Sequence, residues 1–389
     1  MPYTIQPQSR QLKRQDARAF KKFIKPIKKI LSNITPLQSR GDRPLQMTFE
    51  DELNALIYFH LEEHSSGRHL LQTLEEDDFA RDIIAPKDGI QKSSFFEAIN
   101  NRGLEQLLQI FQLLYAKAAT TLPKEYEDLG NLMSIDGSLI DAVLSMYWAD
   151  YRDGAKNAKV HIGFDLNHSI PAQVFLTDGK ADERPFATKI IAPGQTGVMD
   201  RYYQCHKNFD LWQTEGKHFV CRIKASTTIK CLRPLEVQPG TIVFYDAIVL
   251  LGTPNVTQTE KELRVVAYRV DGENYWIATD RYDLSAEQIA KIYRLRWNIE
   301  AFFGWWKCHL QVYHLIARSP YGLMVQILAG LITYLLLAIY CHEEYHEKVS
   351  IKRIRQLRIQ IRNEGRDHAD MDVAQLIPDI NQRLGHAKT

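Results

Sequence analysis

The pattern of hydrophobic and polar positions divides the chain into two kinds of segment. Between residues 48 and 118, leucine and isoleucine recur every three or four positions, which places them along one face of a helix. A turn signal at residues 86–89 interrupts this run. We therefore predict a set of helices joined by turns in the first part of the chain.

After Leu122-Pro123 the pattern changes to short apolar runs bounded by turn residues, which is typical of strands. Helix-like stretches at 183–191 and 204–216 separate the later runs. The apolar runs lie at residues 131–136, 159–166, 171–179, 196–200 and 218–225. The predicted order is β-β-β-α-β-α-β, so we expect an α/β fold in this region.

The second half of the chain changes pattern again. Residues 229–280 are mostly strand-like, and Asp271-Gly272 is a hairpin turn signal. From Ser285 the pattern is helical to about Arg366. Within it, residues 322–341 form an apolar run about as long as a membrane span. We predict a helix buried in a large core, because no other segment resembles a span; a single-pass membrane anchor is the alternative.

Composition narrows the class of protein. A length of 389 residues suits two or three domains. The hydrophobic fraction of 45% and the charged fraction of 25% are close to those of an average soluble protein, which excludes wholesale disorder. The five cysteines include no CxxC pair, which argues against a disulfide scaffold or a zinc ribbon. We therefore predict a cytoplasmic protein.

The net charge of +2 hides a local excess of positive charge. Residues 1–44 contain 11 basic and 2 acidic residues, and a second basic run lies at 348–366. Basic arms of this density usually bind a polyanion, whereas the alternative is a solvated helix face. We take Lys13, Arg14, Lys21 and Lys22 as representatives of a DNA-binding surface. Two of the neighbouring helices could form a helix-turn-helix, although most helical hairpins do not bind DNA.

Two aspartates stand in a similar context. Asp136 and Asp200 each end an apolar run, so we expect each at the carboxyl end of a strand, where α/β sheets bind ligands. Carboxylates that face one another repel, and a cation relieves the repulsion. Ligand sets made only of oxygen favour Mg²⁺ or Mn²⁺. Two such ions about 4 Å apart can support phosphoryl transfer.

A third group of polar residues lies in the segment KIYRLRWNIEAFFGWWK. On a single helix the side chains of this group would lie within about 60° of one another. The group consists of Tyr293, Arg296, Glu300 and Lys307. We therefore predict a polar stripe along one helix; an ordinary amphipathic helix with salt bridges is the alternative.

These residues carry a resemblance to a known family. The chain resembles the DDE transposases of bacterial insertion sequences, in the family marked by a Tyr-x2-Arg-x3-Glu-x6-Lys signature. The first acidic motif is IDGS at 135–138, the second is the D-x2-Y of Asp200 and Tyr203, and FVCRIKA is similar to the family's basic strand. The resemblance covers roughly residues 130–340.

The resemblance implies an α/β fold with a ribonuclease-H-like catalytic core, interrupted by a β-rich insertion and preceded by a helical DNA-binding region. We accordingly expect a basic arm and helical DNA-binding region (1–120), a first part of the core with both aspartates (128–225), the insertion (226–281), a second part of the core with the Glu300 helix (282–345) and a basic helical tail (346–389).

The resemblance also implies roles for single residues. Asp136, Asp200 and Glu300 would be catalytic and would hold Mg²⁺ or Mn²⁺, with two ions expected. The residues expected to bind DNA are Tyr293, Arg296, Lys307, Arg222, Lys224, Lys13, Arg14, Lys21 and Lys22. For Arg296 and Lys307 a salt bridge with Glu300 is the alternative. Tyr293 would contact a phosphate or brace the helix, and simple packing is the equal alternative. Candidates for stacking on a flipped base are Tyr275, Trp276, Trp297, Trp305 and Trp306, although core packing is the alternative for most of them.

The implied activity is cut-and-paste transposition. Water would cleave a phosphodiester and free a 3′-OH, which would attack target DNA or form a hairpin at the element end. The partners would be double-stranded DNA, as terminal inverted repeats and as target, and a second copy of the chain in a homodimer. No membrane association is expected. The alternatives are a nuclease of the same fold that does not join ends, and a DNA-binding relic without catalysis.

Overall fold

The computed structural model describes residues 18–38, 45, 47–143, 145–152 and 155–364. Lys13 and Arg14 of the predicted basic arm, and Arg366, lie outside the described residues. The chain divides into two compact units. We call residues 119–307 the sheet unit, and the described part of 1–118 together with 308–364 the helical unit.

The elements of both units follow in chain order. The helices are α1 (Arg18–Leu31), α2 (Phe49–Leu61), α3 (Gly67–Glu76), α4 (Lys92–Asn101), α5 (Leu104–Thr121), α6 (Arg184–Ile190), α7 (His206–Thr214), α8 (Ala286–Leu295), α9 (Trp297–His309), α10 (Pro320–Tyr345) and α11 (351–364). The strands are β1 (Asn131–Asp141), β2 (Asp150–Arg152), β3 (Ala155–Asp165), β4 (Ile170–Asp178), β5 (Gln195–Met199), β6 (His218–Arg222), β7 (Ile229–Pro234), β8 (Val243–Leu251), β9 (Leu263–Val270) and β10 (Glu273–Thr279). Short helical turns lie at Ala80–Ile84, Glu127–Leu129 and Arg201–Tyr203.

The predicted β-β-β-α-β-α-β order is confirmed by β1, β3, β4, α6, β5, α7 and β6, with the short β2 added between the first two strands. β1, β3 and β4 are antiparallel neighbours, whereas β5 and β6 run parallel to β1. α6 and α7 make the crossovers that parallel pairing requires. The result is a mixed α/β fold built on a large sheet.

The sheet continues beyond β6 through the segment that follows it. β10 pairs antiparallel with β6, and β9, β8 and β7 follow in that order to the edge. β9 and β10 form the predicted hairpin, in which Asp271 and Gly272 both have positive φ. Such a turn suits Asp-Gly because its two central residues lie in the left-handed region. The β-rich segment thus extends the same sheet in the sheet unit.

A buried ion pair fixes the segment that leads into α8. Arg264 on β9 donates to both carboxylate oxygens of Asp246 on β8, at 2.9 and 2.7 Å. The same guanidinium donates to the main-chain carbonyls of Arg281 and Leu284, at 3.3 and 2.5 Å. Both side chains are almost fully buried. The pair therefore ties two strands to the chain that enters α8.

The four signature residues do not lie on one straight helix, so that prediction is wrong. α8 ends at Leu295 and α9 begins at Trp297. At the junction, the Arg296 N–H donates to Tyr293 O at 3.1 Å, and the Ile299 N–H donates to Arg296 O at 3.2 Å. These bonds span three residues instead of four, so the chain tightens at Arg296 between the two helices.

The long apolar run is helix α10 of the helical unit. Among the described residues it is the one helix long and apolar enough to cross a membrane, and its apolar window is almost entirely buried inside the protein. It packs against α1, α2 and α4. Phe23 on α1 meets Tyr340 edge to face, with ring centroids 6.0 Å apart. The predicted core helix is confirmed.

Glu52 of α2 is a buried acid in the helical unit. Its side chain is 1% exposed, and neither carboxylate oxygen has a hydrogen-bond partner among the described residues. Burial raises the pKa of Glu52 from 4.5 to about 8, although the charge of Arg102 opposes this. Folding therefore favours the protonated form of this carboxyl.

We predict that Glu52 makes the protein less stable as the pH rises. The pKa of the folded state exceeds that of the unfolded state, so the stabilisation is complete below pH 4.5 and is lost between pH 4.5 and 8. In Glu52→Gln the free energy of unfolding, measured in urea, should fall less steeply over this interval, by about 1 kcal/mol per pH unit. Glu50→Gln, an exposed change in the same helical turn, is the control. Parallel pH curves for wild type and Glu52→Gln would refute the assignment.

We predict a large loss of stability in Asp246→Ala. The change leaves the Arg264 charge buried without its carboxylate, which costs about 3–5 kcal/mol of unfolding free energy in denaturant titration. The control is Asp182→Ala, which removes an exposed pair with Arg184 and should cost no more than about 1 kcal/mol. Equal losses in the two variants would contradict the role of the buried pair.

Candidate active site

The register between β1 and β5 places Asp136 and Asp200 at the same level, that is, at equivalent positions along two neighbouring strands. β1 and β5 pair in parallel from Asn131↔Gln195 to Ser134↔Val198. Asp136 and Asp200 each lie two residues beyond that last pair. Neighbouring strands are about 5 Å apart, and residues at one level point to the same face. Asp136 and Asp200 are therefore side by side where β5 ends.

The position of Asp136 within its strand differs from the prediction. Asp136 does not end β1, because β1 continues to Asp141 through antiparallel pairing with β3. β5 stops at Met199, so the part of β1 from Asp136 onward has a strand neighbour on one side. Because β5 is shorter than β1, Asp136 is open on the β5 side even though it lies inside β1.

Local hydrogen bonds orient both carboxylates. The Gly137 N–H donates to Asp136 Oδ1 at 2.8 Å. Asp200 caps the turn that follows β5, where its Oδ1 accepts from the Tyr202 N–H at 2.8 Å. Both of these bonds use Oδ1 of the aspartate.

Arg296 joins the two core segments of the site. Its Nη1 lies 3.8 Å from Asp136 Oδ2, and its Nη2 lies 2.5 Å from Glu300 Oε1. The guanidinium is mostly buried, whereas the two carboxylates are one quarter to one third exposed. The salt bridge considered as an alternative for Arg296 is present, and it links Glu300 on α9 to Asp136 on β1.

The site concentrates negative charge. Burial raises the pKa of Asp136 from 3.8 to about 7; Arg296 and the Gly137 N–H oppose the shift, while the charges of Asp200 and Glu183 add to it. A cation other than arginine would relieve the same repulsion.

The donor set fits a hard divalent ion. Asp136, Asp200 and Glu300 offer only oxygen, the ligand type that Mg²⁺ and Mn²⁺ prefer. Within the described residues, no three acidic, histidine or cysteine side chains are grouped closely enough to hold a metal ion. Since Arg296 is paired with two of the three carboxylates, an ion would have to replace it there.

Tyr293 and Lys307, the two ends of the signature, lie on either side of this cluster in sequence. Tyr293 is only 5% exposed, and its ring lies 6.1 Å from that of Tyr275 and 5.8 Å from the Arg296 guanidinium carbon. Lys307 donates from Nζ to the carbonyl of Leu139 on β1 at 2.5 Å. Both residues brace the helices against the sheet, and their contact with DNA stays a prediction.

The residues predicted to bind DNA from β6 lie beside the same edge. Arg222 stacks over the ring of Tyr275, with its guanidinium carbon 4.5 Å from the centroid. Lys224, two residues further along, is exposed. Tyr275 in turn stacks on Tyr268 at 5.1 Å. A cationic and aromatic surface thus adjoins Tyr293.

The tryptophans predicted to stack on bases differ in exposure. Trp297 is 65% exposed at the start of α9. Trp276 is half-buried and packs against Phe244 and Tyr245, and Trp305 is half-buried on α9. Trp306 is buried in the core. Trp297 is therefore the tryptophan most accessible to a base.

The described lysines of the basic arm lie on α1. Lys22 is exposed and forms an ion pair with Glu344 on α10. Lys21 precedes it on the same helix and is half-buried. Binding of DNA by either lysine stays a prediction.

Sequence reasoning missed a polar network next to the aspartates. Glu183, directly before α6, pairs with Lys159 on β3 at 2.9 Å and accepts a hydrogen bond from Tyr203 Oη at 3.0 Å. Burial and the neighbouring carboxylates raise the pKa of Tyr203 well above its usual value, so its phenol stays a donor. The D-x2-Y motif pointed to Tyr203, but no local spacing connects residues 159, 183 and 203.

Known proteins resemble this chain over about half of its length. A protein of Geobacillus stearothermophilus named "Probable transposase for insertion sequence element IS5377" is 29% identical over 215 residues, which is 54% of this chain and 57% of that protein. A relative from Sinorhizobium fredii, also named as a transposase, is 28% identical over 199 residues, 49% of this chain and 56% of its own length. The chain thus spans just over half the length of these curated relatives.

A comparison of structures finds the piggyBac transposase in its synaptic complex with hairpin DNA, at a TM-score of 0.44 and 14% sequence identity, over 91% of this chain and 81% of that one. In sequence, the family model described as "Transposase DDE domain" matches residues 130–336, which contain Asp136, Asp200 and Glu300. Because this match covers more than half of its residues, the chain belongs to the transposase DDE domain family.

Proposed function

We propose that the protein is a transposase that cuts DNA at the ends of its own element and joins the freed 3′-OH ends to new DNA. The observation that carries the proposal is the placement of Asp136 and Asp200 at one level of neighbouring parallel strands, with Glu300 tied to Asp136 through Arg296. Carboxylates drawn from three separate elements to one sheet edge suit phosphodiester chemistry better than a structural role.

The strand order supports a ribonuclease-H-like core. β4, β3 and β1 are antiparallel, and β5 and β6 follow in parallel after single helical crossovers. We assign this core to residues 128–225 and 282–345, with 226–281 as the β-rich insertion. The basic arm and helices of residues 1–120 and the basic tail of 346–389 are proposed to bind the terminal inverted repeats.

We infer that Asp136, Asp200 and Glu300 hold Mg²⁺ or Mn²⁺, with two ions in the active complex. The bound ions would activate the attacking oxygen and stabilise the leaving oxygen. The chain itself orients the carboxylates through Gly137 and the turn after Asp200. In the first step a water oxygen would form a new bond to phosphorus while the bond from phosphorus to the 3′ oxygen breaks. Water loses one proton, the 3′ oxygen gains one, and the freed 3′-OH would serve as the next nucleophile.

DNA would be held by cations that surround the cluster. Arg296, once released from Glu300, offers a planar fork for a phosphate, and Lys307 offers a point charge. Arg222 and Lys224 would contact the backbone beside the insertion, and exposed Trp297 would stack on an unpaired base. We propose a hairpin route on this surface, in which a base leaves the stack.

The proposed partners are double-stranded DNA, as terminal inverted repeats and as target, and a second copy of the chain. Synapsis of two DNA ends favours a homodimer on DNA. We place the protein in the cytoplasm, where bacterial DNA is accessible. A nuclease of the same fold would cut but not join, so the strand-transfer product distinguishes the two activities.

We predict that Asp136→Asn and Glu300→Gln abolish cleavage but keep the fold. A duplex that carries the element ends, incubated with Mg²⁺, should be cut by the wild type, and each variant should lower the rate by at least about a hundredfold because a metal ligand loses its charge. Glu127→Gln, an exposed change at the opposite end of β1, is the control and should cut normally. Cleavage by Glu300→Gln at the wild-type rate would contradict the mechanism. If the wild-type protein binds the duplex but does not cut it, the alternative of a DNA-binding relic without catalysis is favoured.

We predict that Lys224→Gln weakens DNA binding equally for all sequences. Loss of one phosphate contact should reduce the slope of log affinity against log salt by about 1, because fewer counterions are released. Fluorescence anisotropy on specific and random duplexes measures both quantities. Lys261→Gln is the charge-matched control, since its ammonium bonds Thr214 at the other end of β6. An unchanged salt slope in Lys224→Gln would remove this residue from the DNA surface.

A further inference from the structure

Glu183 is a nearly buried acid that the proposed chemistry does not use. Its side chain is 15% exposed, and that of its partner Lys159 is 12% exposed. One carboxylate oxygen lies 2.9 Å from Lys159 Nζ, and the other accepts the Tyr203 phenol at 3.0 Å. Tyr203 is 1% exposed. Such a network is held rigidly, because every member has a partner and little access to water.

The network reaches the first aspartate through Gly137. A Cβ atom added to this glycine would lie 2.8 Å from Glu183 Oε2 and 2.9 Å from its carboxyl carbon, closer than packed atoms approach. The Glu183 carboxylate therefore rests on the backbone of β1 at the residue that follows Asp136. Gly137 is also the residue whose N–H orients the Asp136 carboxylate.

The network reaches the second aspartate through Tyr203. Tyr203 ends the short turn Arg201–Tyr203, and Asp200 caps the start of that turn. The phenol anchors one end of the turn to Glu183, and the aspartate lies at the other end. The Glu183 carboxylate thus contacts the chain near both aspartates. It packs against Gly137 beside Asp136, and it accepts a hydrogen bond from Tyr203 in the turn that Asp200 begins.

Lys159 is the charged partner of Glu183. It lies on β3 opposite Leu139 of β1, two residues beyond Gly137. Its ammonium lies 2.9 Å from Glu183 Oε1 and also donates to the main-chain carbonyl of Ala181 at 3.3 Å. Lys159 therefore anchors the Glu183 carboxylate to β3, the strand that pairs with β1.

We propose that Glu183 is a positioning residue that sets the separation of Asp136 and Asp200, with Lys159 as its anchor and Tyr203 as its link to the turn of Asp200. The inference rests on the proposed function, because the separation matters only if the two aspartates bind a cation together. Groups that orient ligands in this way typically contribute about 10- to 100-fold to metal affinity or activity.

The experiment measures Mn²⁺ binding to the full-length protein without DNA, by electron paramagnetic resonance of free Mn²⁺. Tyr203→Phe removes one hydrogen bond and keeps the ring, so it should weaken Mn²⁺ binding by about tenfold. Glu183→Gln should weaken it by a similar factor. The double variant should be no weaker than the more affected single variant, because both changes break the same connection.

Stability separates positioning from a merely structural role. Urea unfolding of each variant gives its folded fraction, and Mn²⁺ affinities are compared only under conditions in which the protein is folded. Glu215→Gln breaks another lysine–glutamate pair, with Lys217 at the start of β6, and should leave Mn²⁺ affinity unchanged. If Glu183→Gln fails to fold, Tyr203→Phe alone decides the question.

The inference is overturned if Tyr203→Phe binds Mn²⁺ within twofold of the wild type, or if the effects of the two single changes add in the double variant. A wild type that binds Mn²⁺ but cuts no DNA contradicts the proposed transposase activity and leaves the positioning role supported by the affinities. A wild type that binds no Mn²⁺ overturns both.

Discussion

The repulsion between carboxylates at one edge of the sheet is the constraint on which the rest of the site depends. Parallel pairing of β1 with β5 places Asp136 and Asp200 at one level, and Arg296 links Glu300 of α9 to Asp136. The guanidinium of Arg296 supplies positive charge to two of these three acids, 3.8 Å from Asp136 Oδ2 and 2.5 Å from Glu300 Oε1. Under the proposed function a divalent ion replaces Arg296 there, because either cation relieves the repulsion between carboxylates.

The surrounding fold serves to hold these acids in place. The aromatic side chains of α7 cover the parallel strands, with Phe209 stacked on Phe219 at 4.5 Å. The pair of Arg264 and Asp246 fixes the chain that enters α8. At the junction between α8 and α9, Arg296 bonds Glu300, and further along α9 Lys307 bonds the Leu139 carbonyl of β1. The sheet and the helix junction together hold the residues of the site.

Much of this architecture could be predicted from local pattern. Apolar periodicity identified each core strand and the buried helix α10, and Asp271-Gly272 identified the hairpin, because these features depend on neighbouring residues. Asp136 was expected at a strand end, but the antiparallel partner β3 extends β1 beyond it. The break at Arg296 contains no glycine or proline, so nothing in the local sequence marks it. The contacts among Lys159, Glu183 and Tyr203 join residues far apart in the chain, which only the fold brings together.

The most direct test of the central claim is a crystal structure of the protein soaked in Mn²⁺, with the ion located by its anomalous scattering. We expect an anomalous peak coordinated by oxygens of Asp136, Asp200 and Glu300, with the Arg296 guanidinium displaced from Glu300. This expectation would be contradicted by a peak elsewhere, or by Arg296 still bridging Asp136 and Glu300 at a Mn²⁺ concentration that saturates binding in solution.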